Sequence, residues 1–486
     1  MVHSTAPSPR LAFDSARDRM AQDQRLPFLR LLSRAAVASA CRRVAHPWRD
    51  RIYTPWITLG VFLSQVLSAD QTCDDAVDRL QKFRHEQDLS KVATDTSSYC
   101  EARKRLPESL FWELVRRAGD AIHQKAKTSW LFHGRSVKIA DGSTVLMPDT
   151  PANQAVYPQQ SSQKPGLGLP IARIIVVFSL AVGTVLEAAV GPYQGKGTSE
   201  LALLRLIVGQ FHRGDIFLGD RFFCSYWVIA ALQERGVDVV VRLHQRRTAD
   251  FRRGRRLGRR DHVVTWPKPK QRPDWMSPAE YDAMPAELTI RELHVGVKDK
   301  TKRIRKLVIV TTLLDARVYP AKGLRDLYRQ RWHAELDLRT LKTYMKMEML
   351  RTKSPEMVRK EIAAHLLGYN LIRGLMAEAA RVEKVKPRAL SFMGALHTVR
   401  AFEDNHLYDP MWINADLPRL LELIAEKRLV FRPNRSEPRA VKRRPKPHPL
   451  LKEPRKRARR PKNGAGPHAG GNSVFAKRAA ATYSLD

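Results

Sequence analysis

Asp141 and Asp220 each close a short apolar run. Val137-Lys138-Ile139-Ala140 precedes the first and Ile216-Phe217-Leu218-Gly219 the second. An aspartate at the carboxyl end of a buried strand projects into the crevice where α/β sheets place their active sites. One such residue is commonly a cap or a turn, whereas two at adjacent strand ends can share a metal ion. A third acid, Glu335, lies in a helical segment beside Tyr328, Arg331 and Lys342. From Tyr328, successive steps of three, four and seven residues reach Arg331, Glu335 and Lys342. At roughly 100° per residue all four fall within about a 60° stripe. Leu324, Leu327, Leu338, Leu341 and Met345 form an apolar stripe next to it. A solvated amphipathic helix shows such a charged border too. Combined with the two aspartates, it puts a glutamate between three groups that can touch phosphate oxygens.

Three carboxylates in that setting suit cleavage of a phosphodiester. The reaction needs a nucleophile, charge neutralisation at phosphorus and stabilisation of the leaving oxygen, and a pair of Mg²⁺ ions supplies all three. Mg²⁺ takes oxygen ligands and keeps several waters, so a few carboxylates suffice, with Mn²⁺ as a substitute. Asp141 is the natural bridging ligand, and Asp220 and Glu335 would each hold one ion.

The charge balance points to the same partner. The 486 residues carry 86 Lys and Arg against 49 Asp and Glu, a net +37. A surplus of that size repels itself unless a polyanion neutralises it, which makes nucleic acid the first partner to expect and an anionic membrane surface the second. The membrane reading is weak. The longest apolar segment, Ile174 to Val190, is interrupted by Ser179, Gly183, Thr184 and Glu187, and no run approaches the ~20 residues a spanning helix needs. Met1 to Arg10 has no apolar core of a secretory signal. Cys41, Cys73, Cys100 and Cys224 show no metal-ligand spacing and no disulfide framework. A reducing, cytoplasmic compartment fits, with the protein on the nucleoid.

The elements that must position these residues follow from periodicity. Residues 1 to about 130 read as helical, with an apolar segment at Tyr53 to Leu67. A second helix at Glu108 to Ala126 carries Leu110, Phe111, Leu114, Val115 and Ala118 on one side. Between them, Thr96 to Arg105 is either a phosphate-contacting stretch or a solvated helix end. Strands alternating with helices begin near 135. Ser136 to Ala140 is a short strand ending at Asp141-Gly142, and Ile171 to Ala181 and Val185 to Val190 pair across a Gly183-Thr184 turn. Thr198 to Phe211 is a helix capped by Thr198 or Ser199. Asp215 to Gly219 is a strand, Cys224 to Gln233 a helix, and Val237 to Leu243 a strand. Residues 245 to 285 lack regular periodicity. Strands return at Leu288 to Val295 and Lys306 to Leu314, one long helix runs from about Ala321 past Met345, and another from about Pro355 to Ala380. Arg432 to Lys462 holds fourteen Lys or Arg, two Glu and seven Pro, a composition expected to stay disordered.

Taken together, these motifs resemble the bacterial insertion-sequence transposases with a DDE site on a ribonuclease-H-like fold, specifically family four, the branch marked by a Tyr-Arg-Glu-Lys signature. The resemblance covers about residues 96 to 380. It rests on Ile139-Ala140-Asp141-Gly142-Ser143, on Leu218-Gly219-Asp220-Arg221-Phe222-Phe223, and on Thr311-Thr312-Leu313-Leu314-Asp315 leading into the Tyr328-Arg331-Glu335-Lys342 helix. It implies that Asp141, Asp220 and Glu335 bind divalent metal and that Tyr328, Arg331 and Lys342 grip the transposon end. It implies a mostly β insertion in the 114 residues between Asp220 and Glu335. The substrates would be double-stranded DNA, both the terminal inverted repeats and the target, with a dimer assembled on the ends. The enzyme would nick the ends, expose 3′ hydroxyls and join them to target DNA. A nuclease of the same fold that cuts without joining shares the metal site, and a non-catalytic nucleic-acid-binding relic would not need all three acids.

The fold class expected is therefore α/β: a ribonuclease-H-like catalytic core with a mostly β insertion, a helical N-terminal domain and a disordered basic C-terminal tail. The expected divisions are 1–130, a helical DNA-binding region; 131–244, the first part of the core; 245–305, a basic β-rich insertion; 306–385, the second part of the core; 386–431, a helical region; and 432–486, the tail. Arg221 either holds phosphate near the metal or pairs with a local acid. Arg252, Arg253, Arg255, Arg256, Arg259 and Arg260, with Gly254 and Gly258 among them, read as a mobile loop on backbone phosphates. Trp266 and Trp275 are either buried structural residues or holders of a flipped base in a hairpin intermediate. Gln159 to Pro170 is a flap or a plain surface loop, and Asp149 is structural.

Overall fold

A computed structural model of the chain describes residues 34–49, 51–86, 91–298, 304–406 and 410–429, with Glu453 in addition. The expectations for the first 33 residues and for the basic tail lie outside the described residues. The chain divides into a large unit, Met1–Gln160 with Leu169–Ala440, and a small one, Ser161–Gly168 with Val441–Asp486. In the small unit, residues 161–168 are turns and bends.

Five helices open the large unit: α1 (Arg34–Arg43), α2 (Pro55–Leu67), α3 (Cys73–Glu86), α4 (Ser97–Arg105) and α5 (Glu108–Gln124). On α5 the expected stripe of Leu110, Phe111, Leu114, Val115 and Ala118 is buried. The stretch read as a phosphate contact or a solvated helix end is instead α4, and Arg103 points inward. Its guanidinium donates to Gln65 Oε1 at 3.0 Å and to the thiols of Cys73 and Cys100 at 3.2 and 3.3 Å. It also lies over the rings of Tyr99 and Phe62.

The strands are β1 (Val137–Leu146), β2 (Ile171–Ser179), β3 (Val185–Pro192), β4 (Ile216–Leu218), β5 (Asp238–Arg242), β6 (Arg255–Gly258), β7 (Asp261–Pro267), β8 (Glu287–Lys298) and β9 (Ile304–Thr311). They form one mixed nine-stranded sheet in the order β3-β2-β1-β4-β5-β9-β8-β7-β6. β1, β2 and β3 form an antiparallel meander, β4 and β5 add in parallel to β1, and β9 to β6 continue antiparallel. The β segment between Asp220 and Glu335 thus extends the same sheet through the β5–β9 pair. Two of its strands, β6 and β7, fall where periodicity fails: β6 is four residues opening with exposed Arg255 and Arg256, and β7 opens with buried Asp261 and His262.

Both faces of the sheet are covered, and the two-residue period decides what each strand sends where. Ala172, Ile174, Val176 and Phe178 of β2 enter one core, while Ile175 and Val177 enter the other. The first core holds α5 and the 28-residue α12 (Pro355–Val382). The second holds α7 (Glu200–Ile207) and α8 (Tyr226–Glu234); two six-residue helices, α6 (Pro151–Val156) and α9 (Pro278–Ala283), lie in sequence between β1 and β2 and between β7 and β8. Asn370 of α12 ties three elements together: its amide donates to Val115 O at 3.1 Å and Val185 O at 2.8 Å, and its oxygen accepts from Val185 N at 2.7 Å. Helix and strand touch beside it because residue 119 is glycine; a Cβ there would lie 2.0 Å from Val185 O.

Two expectations about the elements bearing the acids need correction. β1 does not stop at Ala140 as a short strand; it runs on to Leu146, because β2 is long enough to pair with it throughout. The long helix expected from Ala321 past Met345 is interrupted. It is α10 (Ala321–Arg329), a tight turn at 330–331, α11 (Trp332–Arg339) and a π turn at Thr340–Tyr344. Across the break the amides of Gln330, Arg331, His333 and Ala334 bond three residues back, the narrower 3₁₀ pattern.

Candidate active site

Asp141 and Asp220 come together through strand register. Val137 lies opposite Ile216 and Ile139 opposite Leu218; carried two residues further, the same register sets Asp141 level with Asp220. There β4 has ended while β1 continues. Asp220 Oδ1 accepts from Phe222 N at 2.7 Å and starts a single turn, Arg221–Phe223. Asp141 Oδ1 accepts from Gly142 N at 2.9 Å. Burial, with repulsion from Asp220 and Glu200, pushes the Asp141 carboxyl up to about 6, against the Gly142 amide and Arg331, which favour its charged form.

Glu335 reaches this region from α11. Its Oε1 accepts from Arg331 Nη2 at 2.7 Å, and Arg331 also interacts electrostatically with Asp141. Arg331 therefore bonds the glutamate and feels the charge of Asp141. Tyr328 is buried beside Arg331; burial raises its hydroxyl pKa, with Arg331 and Arg242 opposing and Asp220 adding to the shift. Three of the four residues of the expected helical stripe thus share one neighbourhood. Lys342 sits in the π turn, and its Nζ lies 3.6 Å from Glu348 Oε1. Arg221 is exposed at the turn after Asp220. Carboxylates are hard oxygen donors of the kind a divalent cation takes, and like charges crowded at a half-buried strand end are what such a cation relieves. As the side chains stand, no three His, Cys, Asp or Glu among the described residues gather closely enough to hold a metal ion.

One acid at this place went unnoticed in the sequence. Glu200, the first residue of α7 after the Ser199 cap, interacts with both Asp220 and Asp141. Its only sequence signal is the Ser-Glu pair at a helix start, which ordinary capping explains equally well.

The remaining candidates separate. Trp266 is buried and donates to Glu292 Oε1 at 2.9 Å, a structural role. Trp275 is exposed, contrary to a buried reading, with the Arg205 guanidinium 3.8 Å over its ring. The arginine run is a hairpin at the sheet edge: Arg255 and Arg256 belong to β6, and all six arginines are exposed. Arg252 and Arg253 pair with Asp250 at 2.8 and 3.3 Å. Charges along an edge strand also block pairing with another chain. Asp149 accepts from Gln154 at 2.8 Å, a local structural bond.

Comparison with known proteins fixes the family. Residues 132–371 match the model of the transposase DDE domain, a span that contains all three acids and the Tyr328–Arg331 pair. The chain belongs to the DDE transposases. It is 28% identical over 373 residues to the transposase InsG for insertion sequence element IS4 of Escherichia coli (strain K12), covering 73% of this chain and 78% of that one. It is accordingly a DNA transposase of the insertion-sequence type. DDE transposases generally work with divalent metal ions. A structure of the piggyBac transposase synaptic complex with hairpin DNA overlaps 89% of this transposase and 88% of that chain, at 12% identity and a TM-score of 0.37, too loosely to carry an argument. No helix among the described residues is long and apolar enough to cross a membrane.

Proposed function

We propose that this transposase cuts the ends of an insertion sequence and joins them to target DNA with Asp141, Asp220 and Glu335 as its metal-holding acids. The observation that carries the assignment is the level placement of Asp141 and Asp220 at the end of β4, with Glu335 brought in through Arg331. The core is read as ribonuclease-H-like: a β1–β3 meander followed by parallel β4 and β5, flanked by helices on both faces. Mg²⁺ at these acids would lower the pKa of the attacking water and stabilise the leaving oxygen.

The protein's own residues do the rest. Asp141, beside Asp220 and half-buried, supplies a carboxylate fixed by the Gly142 amide. Arg331 holds Glu335 and is itself a cation that a phosphate can draw off, which frees Glu335 for the metal. Tyr328 packs against Arg331 and limits where its guanidinium can swing. Arg221, exposed one residue past Asp220, can touch the phosphate backbone, as can Lys342 from the π turn. Double-stranded DNA, as element ends and as target, is the substrate, and a dimer assembles when two ends are brought together. Incubation of the purified protein with labelled element ends, Mg²⁺ and a target plasmid tests this reading. Nicked ends and joined product are expected; nicking without joining makes the protein a nuclease of the same fold, and neither product removes the assignment.

A further inference from the structure

Two of the four cysteines meet in the structure, although 27 positions separate them in the chain. Cys73 opens α3, and Cys100 lies in the first turn of α4. The Cys100 thiol donates to Cys73 Sγ at 3.9 Å, and both residues are partly exposed. A disulfide holds its sulfurs at about 2 Å, so each has to move by only about 1 Å. The other two cysteines are unlike them: Cys41 and Cys224 are buried, and burial pushes their thiols up to about 11 and about 12. Donors converge on the pair. Arg103 Nη2 donates to Cys73 Sγ at 3.2 Å and to Cys100 Sγ at 3.3 Å, and Gln65 Nε2 donates to Cys73 Sγ at 3.6 Å. With the Cys100 thiol, three donors point at the Cys73 sulfur. A neutral thiol accepts only weakly, whereas an arginine beside it favours the thiolate. Arg103 is buried, and its acceptors among the described residues are these two sulfurs and the Gln65 amide oxygen. Burial pushes the Cys73 thiol up and Arg103 opposes it. The resting pair is thus a dithiol with a cation in place to hold the charge when a proton leaves.

From this geometry we propose that Cys73 and Cys100 form a reversible oxidation site, closed to a disulfide by a hydroperoxide. Either sulfur can start. Its thiolate attacks one oxygen of hydrogen peroxide, the O–O bond breaks, and hydroxide leaves and takes up the proton that the thiol released. The sulfur is then a sulfenic acid. The second thiol attacks it, the S–S bond forms, the S–O bond breaks and water leaves. Two thiols give up two electrons, and one peroxide becomes two waters. A small dithiol reverses the step by exchange. The bond ties the start of α3 to α4, ahead of the catalytic core in the chain. In a reducing compartment such a bond is transient and reports oxidant. Two plainer roles account for less. Thiols that only accept from a structural arginine need not lie against each other. A cation held by the two sulfurs would meet the Arg103 guanidinium that already bonds both.

Treatment of the reduced full chain with hydrogen peroxide, followed by unfolding, alkylation and peptide mass spectrometry, tests the site. Wild type is expected to lose two of its four free thiols as one Cys73–Cys100 link within the chain, and to recover both with dithiothreitol. Cys41 and Cys224 should be alkylated in full. Cys73→Ser and Cys100→Ser should each form no link within the chain. The thiol left without its partner should go on to sulfinic acid, which dithiothreitol does not reverse. The wild-type result decides the matter by itself if either variant does not fold. Four free thiols after a dose that oxidises the same chain when unfolded overturn the proposal. A link to Cys41 or Cys224, a link between chains, or sulfinic acid at Cys73 or Cys100 of wild type in place of the bond overturns it equally.

Discussion

Arg331 Nη2 donates to Glu335 Oε1 at 2.7 Å, one helical turn apart and across the start of α11. The pair is partly exposed, and such i, i+4 pairs contribute about 0.3–0.5 kcal/mol. Its importance is positional. Arg331 is the cation that bonds Glu335 and feels the charge of Asp141, and only DNA already docked at the acids can reach it. Arg331→Ala should therefore leave the melting temperature nearly unchanged, yet weaken binding to the element's own ends more than binding to random duplex. If Arg331 only steadies the helix, the melting temperature drops and the ratio of specific to random affinity stays at the wild-type value.

Lys342 approaches Glu348, whereas Arg331 bonds Glu335, so its replacement should act differently. Lys342→Ala is expected to lower affinity for element ends by one phosphate contact and to reduce the slope of log affinity against log salt by roughly 0.9. Cleavage per bound complex should fall less than in Arg331→Ala. Equal losses of cleavage in the two variants would show that both act at the acids.

Truncation after residue 431 removes fourteen basic residues between 432 and 462. The expected result is weaker binding to all duplexes alike and a shallower salt dependence, since a segment of that composition adds counterion release without base readout. A salt slope identical to that of the full chain counts against any DNA contact by the tail.

Asn370 should prove a stability residue with no part in catalysis. Asn370→Ala removes two donated bonds and one accepted bond among α12, α5 and β3 and strands buried backbone groups of Val185. At about 1 kcal/mol per bond the loss is roughly 3 kcal/mol, measurable as a shift of the denaturant midpoint. Residual folded protein should cleave normally.

Folding stability should decline in mild acid through buried histidines. Burial is the main cause that holds His123 and His333 down to about 4 and His365 down to about 3, against an ordinary value near 6.5. The folded protein thus favours the neutral rings. The contribution is complete above about pH 6.5 and is lost as pH falls from there towards 4 and 3, at up to about 1.4 kcal/mol per pH unit for each ring. His365 is the most buried of the three, and one of its ring nitrogens, Nδ1, has no hydrogen-bond partner. Chemical denaturation at pH 7.5 and pH 5 should show a smaller loss for His365→Leu than for wild type; parallel losses would place the acid sensitivity elsewhere.

What the sequence revealed of this site follows from how each part is encoded. Asp141 and Asp220 stood out because an apolar run ends beside each, and burial of a strand writes itself directly into residue type. The stripe on α5 was legible for the same reason, as was α12. Glu335, Arg331 and Tyr328 were found from helical spacing, although the helix breaks at 330–331; the break tightens one turn without carrying those three apart. The π turn that carries Lys342 was not legible, because nothing in Thr340 to Tyr344 distinguishes a π turn from ordinary helix. Glu200 was hidden because its meaning depends on a contact with Gly142, 58 positions earlier in the chain. β6 was hidden because its four residues begin with two exposed arginines, and β7 because it opens with buried Asp261 and His262 in place of an apolar alternation.

Cleavage of a labelled element end in Mg²⁺ by Asp141→Asn, Asp220→Asn and Glu335→Gln, with binding measured on the same preparations, tests the central assignment most directly. Metal ligands act at the chemical step and are worth several kcal/mol there, so each variant should lose on the order of a thousandfold in cleavage rate. Binding should stay within about twofold of wild type, because affinity comes from phosphate contacts spread over a basic surface. Near-normal cleavage by any one of the three would contradict its place among the catalytic acids.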